Sequence, residues 1–319
     1  MVPIIKSNFR PAPWLKNRHL QTLYPTFFRR RLKLPLKTER IELDDGDFLD
    51  LAHLPQSDSP QVLILHGLEG SLKSHYATPL MKVLNDAGFS VTFMHFRGCS
   101  GEPNRLSRRY HSGDTGDIHT VLELLQNRIP DQPLYAVGVS LGANALLKYL
   151  GEGNVCTALA GAVAISVPFD LANAAQTLQT GFARVYQKHL LNKLVNATQE
   201  KFKIMASPID LSDLDKIKTL YEFDDRVTAL LHGFTSADDY YQRSSSRQYL
   251  KNIEIPTYII HALDDPFMTP DAVPCEEELA NKVMLELSSH GGHVGFVSAT
   301  TRGWLEYRVT EILSDVLQG

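Results

Sequence analysis

No stretch of 18 uncharged apolar residues occurs anywhere in the 319-residue chain, so no segment reads as a membrane-spanning helix. The N-terminus lacks an apolar signal-peptide core, and the expected compartment is therefore the cytoplasm. Cysteine is scarce. Cys99, Cys156 and Cys275 are odd in number, far apart and without a C-x-x-C pair, which excludes a disulfide framework and gives no zinc pattern. Internal repeats and low-complexity tracts are also missing, which removes solenoids and propellers. What is present is an ordinary globular composition, 43% hydrophobic and 21% charged, in a chain long enough to bury a large core.

The net charge of −4 hides an asymmetry: residues 1–40 hold ten Lys/Arg against Glu39 alone, so this segment is +9 and the remainder −13. With Trp14, Tyr24, Phe27 and Phe28 among its residues, residues 1–40 fit peripheral contact with an anionic membrane, hence the inner membrane face. The competing expectation is that the segment packs on the rest of the chain with its charges solvated. Nothing points to nucleic acid, and oligomeric state is not legible.

From Arg40 onward the pattern is that of a mostly parallel sheet covered by helices. Arg40–Leu43 and Phe48–Leu54 flank a turn-rich Asp44-Asp45-Gly46-Asp47 and read as a hairpin. Strands are expected at 62–65, 91–96, 134–139, 158–167, 255–261 and 283–287, with helices at 74–87, 114–128, 141–150, near 274–281 and at 300–317. Such alternation predicts an α/β fold with helices on both faces of the sheet. Between Pro168 and Leu250 it stops, and the chain turns helical and rich in aromatics. The expected organisation is a basic segment at 1–40, a core from 41–167 and 251–319, and an inserted helical cap at 168–250.

Gly138-Val139-Ser140-Leu141-Gly142 matches G-x-S-x-G between an apolar strand and a helix, the context that motif requires. About 0.1 chance matches are expected in a chain of this composition, so the context carries the inference. A sharp strand-to-helix turn exposes the serine, and small residues two before and two after it avoid backbone clashes. A serine nucleophile needs a base and a carboxylate to orient that base. Two acids, Asp264 and Asp265, follow one late strand, and two histidines, His290 and His293, follow the next; ligands bind at such strand ends. The oxyanion donors are expected to be the N–H groups of Leu141, after the serine, and Leu68, in the His66-Gly67-Leu68-Glu69-Gly70 loop.

The stretches HGLEGS, MHFRGCSGEPNR, YHSGDTGD, GVSLGAN, EFDDRVTA, IIHALDDPFM and HGGHVGF resemble the YheT-like branch of the α/β-hydrolase superfamily, the AB hydrolase 4 family, from about His19 to His293. Relatives in it are described as bacterial esterases, ester synthases and monoacylglycerol lipases. The resemblance implies an α/β-hydrolase fold, with Ser140 matching the nucleophile, Asp265 the acid and His293 the base. Many such hydrolases have a His-Gly after the strand, then two residues, then the acid; laid on His261-Ala262-Leu263-Asp264-Asp265, this register selects Asp265, and Pro266 restrains its backbone. Gly291 and Gly292 let the last loop bend and present His293 rather than His290. The implied activity is hydrolysis of short- to medium-chain, monoacylglycerol-like acyl esters without cofactor or metal.

Each feature has a plainer account. Ser140 fits a structural turn, Asp264 a solvated one, and His290 a backbone cap. The His290/His293 pair has no third metal ligand at suitable spacing. Arg97, Glu102, Tyr110, His111 and Asp114 read as loop-shaping residues. Two further functions use the same elements: acyl transfer to an alcohol, and a silent module that binds a hydrophobic ligand.

Overall fold

The computed structural model describes residues 3–29, 32–300 and 303–316; Arg30 and Arg31 of the basic segment, and Leu317 of the expected last helix, lie outside the described residues. The strands are β1 (Ile4–Lys6), β2 (Lys37–Glu42), β3 (Phe48–Leu54), β4 (Gln61–Leu65), β5 (Ser90–His95), β6 (Leu134–Val139), β7 (Leu159–Ile165), β8 (Thr257–Ala262) and β9 (Val283–Ser288). They form one sheet in the order β1-β9-β8-β7-β6-β4-β5-β3-β2, parallel except where β3 meets β5 and β2. The central strands β4, β6 and β8 are buried along their whole length, which is why they read as unbroken apolar runs rather than alternating ones.

Helices cover both faces: α1 (Arg18–Phe28), α2 (Ala77–Asp86), α3 (Gly116–Arg128) and α4 (Leu141–Gly151) precede β7, and α10 (Trp304–Glu311) follows β9 and runs into a π-helical turn at Ile312–Val316. One core cluster gathers residues such as Leu63, Leu146 and Ile259 on one side of the sheet, and a second gathers Ile64, Met81 and Leu313 on the other. Between β7 and β8 run α5 (Leu171–Thr177), α6 (Ala183–Phe202), α7 (Leu220–Phe223), α8 (Ala229–His232) and α9 (Ala237–Ser244). These helices bury a separate cluster that includes Leu178, Leu191, Leu214 and Phe223.

Three elements differ from the sequence reading. Residues Ile4–Lys6 form the strand β1 on the far edge of the sheet, in register with Leu285–Leu287; three residues are too few to carry an alternation signal. The expected helix near 274–281 is a single 3-10 turn at Glu276–Glu278, ended where Leu279 turns extended to enter the core and the Ala280 N–H donates to Leu250 O. The last helix starts at Trp304, after Gly303, whose left-handed φ of 79° is outside helical geometry; Thr301 and Arg302 of the expected span lie outside the described residues.

Candidate active site

The chain passes from β4 to β5 on one side and returns to β6 on the other, so the C-terminal ends of β4 and β6 face a crevice where strand order reverses. The loop His66–Gly70 leaves β4 there, and Ser140 leaves β6. Ser140 makes the strand-to-helix turn alone, at φ 53° and ψ −117°. A Cβ on Gly142 would lie 2.6 Å from the carbonyl oxygens of Leu65 and His66, and one on Gly138 2.6 Å from Ala143 Cα. Both motif glycines are therefore demanded by close backbone approach. Of the six described non-glycine residues with positive φ, Glu69, Ser140, Ser166, Val294 and Phe296 line this crevice or the loops that feed it, and only Asp58 lies elsewhere. Backbone strain is thus concentrated at one place.

Ser140 Oγ lies 2.8 Å from His293 Nε2, and His293 Nδ1 lies 2.8 Å from Asp265 Oδ2. Asp265 is 2% exposed and its other oxygen accepts the Phe267 N–H at 2.8 Å. Burial pushes the Asp265 carboxyl up, but the His293 ring, the hydrogen bond to it and the Phe267 N–H together hold it below the usual carboxylate range. The His293 ring stacks flat on Phe267, centroids 3.8 Å apart. Asp264 faces away: its oxygens take the Gly292 N–H at 2.9 Å and His290 Nδ1 at 3.3 Å, and burial raises its carboxyl. Of the two acids and two histidines, the fold thus brings Asp265 and His293 to Ser140 and pairs Asp264 with His290 beside them.

Leu68 and Leu141 border the same cavity as Ser140. Leu141 is the first residue of α4, so its N–H has no acceptor within the helix. Among the described residues no hydrogen bond takes the Leu68 N–H. The carbonyl of the same peptide unit, Gly67 O, accepts His66 Nδ1–H at 2.7 Å and the Gly70 N–H at 2.9 Å. A planar trans peptide points its N–H opposite to its carbonyl, so His66 fixes the direction of the Leu68 N–H. Phe96 N–H donates to His66 Nε2 at 3.1 Å, and burial lowers this ring to about 3, so it stays neutral.

Several supports carry no signal in the local sequence. Thr22 on α1 accepts the His293 N–H at 2.9 Å across 271 residues, while its own hydroxyl donates to Arg18 O. Ser166, after β7, accepts the Val294 N–H at 3.0 Å. The basic segment thus braces the histidine loop with one face of α1. Its other face leaves Leu20, Phe27 and Phe28 exposed, with Trp14 beside it. Arg97 joins Asp117, Asp45 and Asp47 in a buried network, whereas Glu102 pairs with Arg40 and Asp114 with Arg108. Tyr110 and His111 instead face the cavity.

That cavity lies between the crevice and the helices that run from β7 to β8. The wall those helices form is mainly aliphatic, with Leu171, Leu178, Leu190, Leu194 and Val227. Of the aromatics that marked this region in the sequence, Phe223, Tyr240 and Tyr241 border it, while Phe182 and Tyr221 are exposed. No helix among the described residues is long and apolar enough to cross a membrane.

Residues 60–300 match the family model described as alpha/beta hydrolase fold. The Escherichia coli (strain K12) protein named "Putative esterase YheT" is 42% identical over 98% of this chain and 94% of its own length. The Bos taurus protein named "Phospholipase ABHD3" is 29% identical over 92% of this chain and 74% of its own. In fold, a solved Pyrococcus furiosus esterase superposes with a TM-score of 0.59 at 19% identity, over 89% of this chain and 96% of that one. By sheet order, serine turn and relatives alike, this chain belongs to the α/β-hydrolase family, in its YheT-like branch.

Proposed function

We propose that the chain is a serine carboxylic-ester hydrolase that works through an acyl-enzyme on short- to medium-chain acyl esters. Ser140 Oγ attacks the acyl carbonyl as His293 Nε2 takes its proton, and Asp265 holds the ring in the required tautomer and balances its charge. The N–H groups of Leu68 and Leu141 receive the oxyanion. His293 then returns the proton to the leaving alkoxide, and water repeats the sequence on the acyl-serine. The observation that carries this reading is the pair of 2.8 Å contacts linking Asp265, His293 and Ser140 at the base of an apolar cavity. Residues 168–250 act as its cap, with the acyl chain beneath them. The names of the relatives, an esterase and a phospholipase, support the reaction class. The test is a fluorophosphonate probe: one adduct, on Ser140, is expected. Ser140→Ala abolishes labelling and lowers kcat on the order of 10⁶-fold; hydrolysis above about a hundredth of the wild-type rate removes Ser140 from the mechanism.

The exposed apolar face of α1 favours a second element, peripheral contact with an anionic membrane. Trp14, Phe27 and Phe28 are 62%, 72% and 69% exposed, and Arg10, Lys16 and Arg18 of the same segment are exposed as well. Such a mix suits the lipid interface.

A further inference from the structure

One end of the catalytic cavity is polar. Asp224, Thr228 and His232 reach it from the cap, and His111 and Ser112 from the loop before α3. The Asp224 oxygens accept one hydrogen bond each, from the Thr228 hydroxyl and the Tyr241 hydroxyl, both at 2.7 Å. Among the described residues no cation pairs with this carboxyl. Burial raises it to about 6. A carboxyl placed against leucines without a cation is costly, and an asparagine or threonine at 224 would tie the cap helices together at lower cost. Each carboxylate oxygen has a second acceptor position, which no hydrogen bond among the described residues fills.

The backbone here is unusual as well. Asp224–Thr228 forms a π-turn, closed by the Ala229 N–H on Asp224 O, an irregularity that recurs at functional sites. Beside it His232 Nδ1–H donates to Thr228 O at 2.7 Å. Across from it, His111 Nδ1 accepts the Gly113 N–H at 3.1 Å, so the neutral ring carries its proton on Nε2. The two rings are 4.8 Å apart. This end therefore combines a strong acceptor, Asp224, with a donor, His111 Nε2–H. An anion would meet the Asp224 charge. Burial above all, then His232 and the charges of Arg108, Lys148 and Arg243, lower His111, and a cation would meet the field of those three charges. A hydroxyl both donates and accepts, and carries no charge.

We propose that Asp224 and His111 form a polar subsite of the catalytic cavity that holds a hydroxyl group of the substrate, remote from the scissile carbonyl. The proposal rests on the ester-hydrolase reading above. The hydroxyl has two possible sources, the far end of the acyl chain or the alcohol part of the ester.

The test compares kcat/KM for matched ester pairs that differ only by CH₂OH in place of CH₃. One arm carries the hydroxyl on the acyl chain of an ethyl ester, and the other carries it on the alcohol part of a hexanoate. In the wild type at pH 8 the hydroxylated member of one arm is expected to be favoured, and that arm names the source. Asp224→Asn is expected to lower the preference threefold or more in that arm. A purely structural Asp224 would slow both members alike. A ratio moved by less than threefold in a folded Asp224→Asn protein, or a methyl preference in both arms of the wild type, overturns the proposal. Should the variant not fold, calorimetric binding of an alkanediol and the matching 1-alkanol to the wild type decides it: tighter diol supports the subsite, tighter alkanol overturns it. These binding measurements need no turnover. Absence of both fluorophosphonate labelling and ester cleavage would refute the hydrolase reading separately.

Discussion

Replacing Asp265 by asparagine tests the geometry most sharply, because the structure decides which way the new amide must turn. Asp265 Oδ1 accepts the Phe267 N–H at 2.8 Å in a buried site. An amide nitrogen in that position would face a donor, so the asparagine keeps its oxygen there and turns its NH₂ toward His293 Nδ1. That ring nitrogen must then accept, which moves the proton to Nε2. The imidazole thereby becomes a donor toward Ser140 at the contact of 2.8 Å and can no longer take the hydroxyl proton. Loss of the correct tautomer costs about 10⁴ in kcat in serine proteases, and the same order is expected for Asp265→Asn. Asp264→Asn keeps an oxygen for the Gly292 N–H and weakens only the half-exposed contact with His290 at 3.3 Å; its cost should stay below about 10-fold. The assay is steady-state hydrolysis of a p-nitrophenyl ester near pH 8, with thermal unfolding to verify equal folding. A larger loss for Asp264→Asn than for Asp265→Asn at equal folded yield would refute the assignment.

The aliphatic cap wall predicts that kcat/KM for p-nitrophenyl esters climbs several-fold per two added carbons, since each buried CH₂ contributes ~0.8 kcal/mol; a flat or falling series from acetate onward contradicts an apolar acyl site. Leu194→Trp, which adds bulk at the cavity wall, should shift the preferred chain to shorter esters in the same assay. Asp224 is raised from its ordinary value to about 6, so the folded state holds this proton while the unfolded state has released it. Stability from this group therefore falls as pH rises from about 4 to 6, and Asp224→Asn should flatten that part of the urea-unfolding profile; an unchanged slope would mean the carboxyl titrates normally. Co-sedimentation with vesicles at low salt should favour anionic over neutral lipid and weaken when Phe27 and Phe28 become serine, whereas equal partition would leave α1 a brace for the histidine loop alone.

The sheet strands other than Ile4–Lys6, and Ser140, were legible in the sequence because their signals are local. Strands buried on both faces must be continuous apolar runs, and a tight strand-to-helix turn admits only small residues where its backbones meet, as Gly138 and Gly142 do against Ala143 and Leu65. The sequence alone left two acids and two histidines in adjacent loops; the family resemblance pointed to one of each. Only the tertiary structure orders them in space, since Asp264 and Asp265 leave the same turn in different directions, one toward Gly292 and the other toward His293. Thr22 bracing a loop 271 residues away, the edge strand Ile4–Lys6 and the polar end of the cavity at Asp224 were likewise decided by packing. A hydrogen bond between distant segments imposes no periodicity on either of them, so neither stretch of sequence bears its mark.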